Sequence, residues 1–199
     1  VVGFHRVHHE LMIRTHAATR TLRLQRSAEL QFAPGQFVKA YIEGEGGPVR
    51  PRAYSIASSP LEPVLDLTVR RLPDGHVSTY LTRDVHPGDS LRIKGPFGRF
   101  VIETVPMVWI AAGSGIVPFR SMWRYIQQSE SPMEFTLIYA VRSPVDLIFR
   151  LELDTLATAG RRVALSYTGE SPVGWQGFSR RVDAAMIAEV VPEIGRAHV

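Results

Sequence analysis

Met107-Val108-Trp109-Ile110-Ala111-Ala112-Gly113-Ser114-Gly115-Ile116-Val117-Pro118 decides the fold. Its uninterrupted apolar opening reads as a parallel strand covered on both faces. The strand runs into a glycine pair, and Phe119, Met122, Trp123 and Ile126 then recur at the i, i+3, i+4, i+7 spacing of a helix. Downstream the same grammar repeats. Phe135–Val141 is a second apolar strand, and Ser143-Pro144-Val145-Asp146 reads as a helix start, with an N-cap hydroxyl, a proline at the first position and an acid placed to close a capping box. Val163–Ser166 is a third strand, and Ala184, Ile187, Val190 and Val191 mark a third helix. The β-α-β-α-β-α alternation predicts a doubly wound parallel sheet.

Upstream the period is two. Leu65, Leu67 and Val69 alternate with Asp66, Thr68 and Arg70, and Leu22 and Leu24 with Thr21, Arg23 and Gln25, as in half-buried antiparallel strands. Similar runs near Val7–Ile13, Gln36–Ile42, Arg52–Ala57 and Ser90–Ile93 are separated by turns such as Pro34-Gly35, Pro73-Asp74-Gly75 and Pro87-Gly88-Asp89. About six short strands at this spacing predict a small barrel or sandwich. The grammar changes between Ile102 and Met107, which predicts a domain over 1–104 and a second over 105–199.

With 199 residues, 45% of them hydrophobic, the chain is long enough for two modest cores. No apolar run approaches the length of a membrane span. Cysteine is absent, which removes disulfides, thiolate nucleophiles, sulfur-ligated zinc and iron–sulfur clusters from the residues in hand. Redox chemistry would need an organic cofactor. Lys39 and Lys94 are the only lysines among 23 basic residues, and the arginines are scattered, so the net charge of +4 does not point to nucleic acid. His5, His8, His9 and His16 would alternate across strand faces and do not converge as metal ligands, so no metal site is expected. Trp175 and Arg180-Arg181 read as packing and a solvated helix start.

Two motifs carry chemistry. At Gly113-Ser114-Gly115 the backbone is open to close approach, and the helix start favours an anion such as a pyrophosphate. The same glycines also suit a plain strand-to-helix turn. Pro118 stands where a dinucleotide fingerprint has its third glycine, and Arg142 lies where an acid would end the second strand. In Arg52-Ala53-Tyr54-Ser55 a guanidinium fork suits a phosphate, a ring suits stacking on a planar group, and a hydroxyl suits a ring nitrogen. A strand entry with an exposed arginine and a half-buried tyrosine fits equally.

In order along the chain stand Pro34-Gly35-Gln36, Arg52-Ala53-Tyr54-Ser55-Ile56-Ala57-Ser58, Gly75-His76-Val77-Ser78, Gly95-Pro96-Phe97-Gly98-Arg99-Phe100 and Ala112-Gly113-Ser114-Gly115-Ile116-Val117-Pro118. Over about residues 4–199 this order resembles the ferredoxin–NADP reductase family in the broad sense, including reductase components of aromatic-ring oxygenases and flavohaemoglobins. The resemblance implies an antiparallel, six-stranded Greek-key β-barrel that holds FAD, followed by an α/β Rossmann-like domain that holds NADH or NADPH and is C-terminally incomplete. Arg52 would meet the flavin phosphates, with Ala53 beside it, Tyr54 would pack on the isoalloxazine, and Ser55 would bond near N5. Tyr54 and Ser55 are thus the expected catalytic pair. Gly75, Val77 and Ser78 would donate to the FAD pyrophosphate. Gly113, Ser114, Gly115, Ile116 and Pro118 would cradle the nicotinamide nucleotide, with Arg142 and Ser166 nearby. Gly95–Gly98 would serve as a turn or as a ligand contact. By the resemblance, absence of arginine from Ser166-Tyr167-Thr168 leans slightly to NADH, while Arg142 could serve a 2′-phosphate instead, which leaves NADPH open.

The implied activity is hydride transfer from NAD(P)H to FAD, with electrons passed to a ferredoxin, an oxygenase or a haem domain, in the cytoplasm. The alternative is a partner-dependent flavin-binding subunit with an incomplete nicotinamide site. In the family a further strand ending in Cys-Gly-Pro lies near the nicotinamide, and Ala197-His198-Val199 reads as the first step of that strand.

Overall fold

The computed structural model describes residues 2–16, 18–44, 47–48, 50–103, 107–159 and 161–193. Ala197-His198-Val199 and the side chains of His5, His8, His9 and His16 lie outside the described residues. By its contacts the chain divides into two units, Val1–Ile102 with Val117–Ser131, and Glu103–Ile116 with Pro132–Val199.

The first unit is built on strands β1 (Val2–His16), β2 (Thr19–Gln25), β3 (Phe37–Tyr41), β6 (Arg52–Ser55), β7 (Val64–Arg70) and β8 (Ser90–Phe97). Between β3 and β6 lies a two-stranded ribbon, β4 (Glu43–Gly44) with β5 (Gly47–Pro48). The six-stranded sheet has the order β6-β3-β8-β1-β2-β7 and every pair in it is antiparallel. An antiparallel bridge from Ile56 to Leu67 joins its two end strands, which closes the sheet into a Greek-key barrel. Alternate side chains fill it: Leu22, Leu24, Val38, Leu65, Leu67 and Ile93 form the core with Ile56.

The opposite face of β2 and β7 departs from the alternation. Asp66, Thr68 and Thr21 are buried, not solvated. The Thr21 and Thr68 hydroxyls hydrogen-bond at 2.8 Å, and the Arg23 fork grips Asp66 through two contacts of 2.8 Å. Helix α1 (His76–Arg83) adds Val77 and Leu81 to the apolar core and accepts from Arg20 Nη1 at the Thr82 carbonyl, 3.1 Å. Helix α2 (Val117–Gln128) meets the polar layer, sending Arg120 to Asp66 at 3.2 Å. Period two finds the strand but cannot tell water from a polar helix face as its cover.

The second unit is a parallel sheet, β11-β10-β9, from β9 (Met107–Ala112), β10 (Phe135–Val141) and β11 (Arg162–Tyr167). Central β10 is buried at nearly every position, whereas β9 lies at the end of the sheet formed by the described residues, and its Ile110 is 46% exposed. The expected helix at Ser143 is corrected. Pro144–Asp146 forms only a 3₁₀ turn, Ser143 Oγ donates to Asp146 Oδ2 at 2.7 Å instead of capping the backbone, and helix α3 (Arg150–Thr158) starts after Phe149 at φ 60°. The last helix, α4 (Ala184–Val190), begins at an Asp183 N-cap that accepts from the Met186 N–H at 2.8 Å. Met186, and not Ala184 or Ile187, is its buried residue. Among the described residues no helix is long and apolar enough to cross a membrane.

Candidate functional site

Strand β6 sits at the sheet edge, and its register opposite β3 sorts the Arg52-Ala53-Tyr54-Ser55 side chains. Tyr54 pairs with buried Val38 and Arg52 with buried Ala40, while Ala53 and Ser55 face Lys39 and Phe37. Arg52 and Ala53 are exposed, and Tyr54 and Ser55 half-buried. The Arg52 guanidinium donates to the Arg50 and Pro51 carbonyls at 3.0 and 3.3 Å, and among the described residues no carboxylate pairs with it. The Tyr54 ring packs on the barrel core. Burial raises its phenol pKa above the ordinary value, against a smaller opposing pull from the Arg52 charge, so the hydroxyl stays neutral at physiological pH.

Gly75 provides the second element. It caps α1 with no side-chain bond to the helix start. Its N–H donates to Leu72 O at 3.1 Å, while Ser78 Oγ donates to Gly75 O at 3.0 Å and accepts from Leu72 N–H at 3.1 Å. A Cβ on Gly75 would lie 2.5 Å from Ser78 Oγ, so the turn is already filled. Val77 and Ser78 point inward, which leaves main-chain N–H groups as their means of holding an anion. An uncapped helix start, an exposed arginine fork and a half-buried ring in one unit suit the phosphates and planar ring of FAD.

In the second unit Gly113 has φ 50° and its carbonyl accepts from the Tyr139 hydroxyl at 3.0 Å. Gly113–Ile116 is a 3₁₀ turn leading into α2. Ser114 and Gly115 are exposed, a Cβ on Gly115 would meet nothing within 4 Å, and Pro118 is half-buried. Ile116 is fully buried and offers a ligand only its backbone. This open turn suits close approach by a nucleotide phosphate. Arg142 is exposed at the end of β10, with its carbonyl held by Gly169 N–H at 3.0 Å. Ser166 departs from expectation. It is fully buried and its hydroxyl is spent in a short bond to Arg180 O at 2.5 Å, so it pins the segment after β11 and presents no hydroxyl outward.

Other expectations fall on structural groups. Gly95 closes against Val38 and Gly98 turns at φ 100°, as a barrel turn requires. Trp175 meets Tyr167 edge-on at 4.8 Å and donates to Phe178 O at 3.0 Å, while Arg180 pairs with Asp183 and Glu189.

Arg120, Ser121 and Asp66 were not singled out from the sequence. Arg120 is 3% exposed, and it donates to Asp66 Oδ2 and to Ala57 O, both at 3.2 Å. Ser121 Oγ donates to Ser58 O at 2.6 Å. Burial pushes the Asp66 carboxyl up, but hydrogen bonds and charge from Arg23 and Arg120 outweigh it and hold its pKa below the usual carboxylate value. The missed signal is a polar i, i+4, i+8 series, Arg120, Arg124 and Gln128, beside the apolar stripe of α2. Arg124 and Gln128 both bond Glu62 Oε1, at 2.6 and 2.8 Å.

Two families of known proteins match the chain, one after the other. An oxidoreductase FAD-binding domain family matches residues 6–102, and an oxidoreductase NAD-binding domain family residues 109–199. The glycine betaine monooxygenase reductase subunit of Chromohalobacter salexigens is 32% identical over 170 residues, covering 81% of this chain and 46% of its own. Ferredoxin–NADP reductase B of Sorangium cellulosum is 37% identical over 155 residues, 74% of this chain and 63% of its own. The chain thus spans about half the length of the first of these relatives. In fold it is similar to a ferredoxin–NADP reductase from Neisseria gonorrhoeae solved with FAD and NADP, with a TM-score of 0.81 at 20% identity over 98% of this chain and 79% of that one.

Proposed function

The chain belongs to the ferredoxin reductase-like family of FAD- and NAD(P)-dependent oxidoreductases, and from that premise we propose that it takes hydride from NAD(P)H onto FAD and passes electrons to a protein acceptor. The observation that carries this reading is the barrel unit's combination of Arg52, Tyr54 and the uncapped Gly75 helix start, each suited to a different part of one flavin nucleotide. When bound, FAD supplies a hydride-accepting ring that releases electrons singly or in pairs, and the nicotinamide supplies the hydride.

The chain's own residues bind and orient. Arg52 neutralises phosphate charge, main-chain N–H groups of Val77 and Ser78 hold the pyrophosphate, Tyr54 supports the ring with a neutral phenol, and the Ser55 hydroxyl donates to the reacting edge. Ser114 and Gly115 admit the nicotinamide nucleotide to the turn, with the Arg142 guanidinium as its candidate counter-charge. The names of the relatives favour an oxygenase or a ferredoxin as acceptor, and a cytoplasmic location, where NAD(P)H is held, goes with this reading.

Anaerobic titration with NADH and NADPH tests it: bleaching of a yellow, FAD-containing preparation is expected, and a colourless protein that takes up no FAD overturns it. Ser55→Ala is expected to slow flavin reduction about 10- to 100-fold in rapid mixing, the worth of one hydrogen bond to a charged centre, with a smaller loss of FAD affinity. An unchanged reduction rate removes Ser55 from the role.

A further inference from the structure

Strand β6 is followed at once by a peptide that the barrel cannot satisfy by itself. Ile56, Ala57, Ser58 and Ser59 are each 0% exposed, so their backbone groups need partners inside the protein. Ile56 N–H finds Gln36 O at 3.0 Å and Ala57 N–H finds Asp66 O at 2.8 Å. The next two carbonyls take their donors from side chains. Arg120 Nη1 reaches Ala57 O at 3.2 Å and Ser121 Oγ reaches Ser58 O at 2.6 Å, two consecutive residues of α2 on two consecutive carbonyls. Asp66 completes the frame: its carboxylate takes Arg120 and Arg23, and its N–H donates to Ser58 Oγ at 3.0 Å.

A buried ion cluster is a poor route to stability, because an apolar replacement of similar volume is often as stable. What the cluster supplies is a fixed register. It sets α2 against a peptide that begins immediately after Tyr54 and Ser55. We propose that Arg120 and Ser121 are positioning residues for the flavin strand: by holding Ala57 and Ser58 they fix the main chain that presents Tyr54 and Ser55 to bound FAD. This rests on the flavin reading above. The next contact along the helix, Arg124 with Glu62 at 2.6 Å, grips a side chain beyond this peptide and provides the control.

The test compares Ser121→Ala, Arg120→Lys and Arg124→Ala in the whole chain. Ser121→Ala and Arg120→Lys are each expected to keep FAD affinity within about three-fold, to change the visible circular dichroism of the bound flavin, and to slow flavin reduction about five-fold or more, in line with one lost hydrogen bond. In cofactor-free protein they are expected to speed amide exchange at Ile56 and Ala57 about ten-fold, as local opening becomes easier. Arg124→Ala is expected to lower the urea midpoint and leave flavin dichroism and reduction rate unchanged. Lower urea midpoints for the first two variants with unaltered dichroism, exchange and rate would mean a purely structural role and overturn the proposal. Should Arg120→Lys fail to fold, Ser121→Ala, which removes one hydroxyl, decides. A wild-type chain that takes up no FAD overturns the flavin reading and this proposal with it, whereas FAD uptake with unaffected variants overturns this proposal alone.

Discussion

Two glycine turns precede helices in this molecule, and they are built on opposite terms. At Gly75 the space a Cβ would take is occupied, with Ser78 Oγ at 2.5 Å and Leu72 Cβ at 3.0 Å, and the Ser78 hydroxyl ties the turn at both ends. At Gly115 the same space is open to 4 Å. The first glycine is demanded by the protein's own packing, so it would be needed with or without a ligand. The second meets no such demand among the described residues, and its open backbone suits the approach of a ligand. A glycine-rich string alone does not separate these cases; the neighbouring atoms do.

The difference extends to the surroundings, and the largest expected effect tests that. The Gly75 turn belongs to the unit organised by Asp66, whose carboxylate is shared by Arg23 and Arg120. Asp66→Ala is expected to destabilise that unit by about 3–5 kcal/mol, the usual cost of removing one partner from a buried ionic cluster. Urea unfolding measures it, and a loss under about 1 kcal/mol would show that the polar layer does not organise the barrel. The pH dependence follows from the same group. Its folded pKa lies below its unfolded value, so its contribution is fully present above the unfolded carboxylate range near 3.9 and is lost as pH falls through the folded value. Acid unfolding of the wild-type chain is expected to steepen below about pH 4, and Asp66→Ala to flatten that limb. Tyr54 acts at the other extreme. Its raised pKa keeps its contribution whole below about pH 10, and that contribution fades as pH rises through the folded value.

The turns themselves come next. Gly75→Ala is expected to cost about 1–3 kcal/mol in cofactor-free protein, because Ser78 Oγ must move and break the ties it makes. FAD affinity should fall in parallel. Gly113→Ala is expected to cost about 1–2 kcal/mol from its φ of 50° alone. Thermal unfolding without ligand measures both, and a neutral Gly75→Ala would erase the contrast with Gly115.

Much of this was legible. The six barrel strands follow from short alternating runs between turns, and the three parallel strands from continuous apolar runs, because each pattern records whether one face or both faces of a strand are covered. The stripe Phe119, Met122, Trp123, Ile126 is buried as its spacing predicts. The polar residues on the same helix were not legible, because an arginine facing water and one facing a buried aspartate look alike in one sequence. Asp66 reads as outward-facing for the same reason. At Ser143 the local cues were sound but were satisfied within a 3₁₀ turn, Oγ to the Asp146 carboxylate, before the chain turned again at Phe149. For the candidate site, Arg52–Ser55 and Gly113–Gly115 are accessible or half-buried, whereas Ser166 is spent internally on a bond to a residue 14 positions away that no short motif encodes.

The smallest expected effect on stability is the most informative about function. Gly115→Ala places a methyl group where nothing stands within 4 Å, and it is not held at positive φ, so ligand-free stability should change by less than about 0.5 kcal/mol. Removing a glycine also narrows the unfolded ensemble, which pushes slightly toward greater stability. Nucleotide binding should respond differently, because the methyl would occupy the close approach a phosphate needs. Titration of NADH or NADPH is expected to weaken about ten-fold, or about 1.4 kcal/mol, with no matching loss in thermal stability. Equal binding by the Gly115→Ala protein would mean that the open turn is only a turn, and the two glycines would then differ in packing but not in purpose.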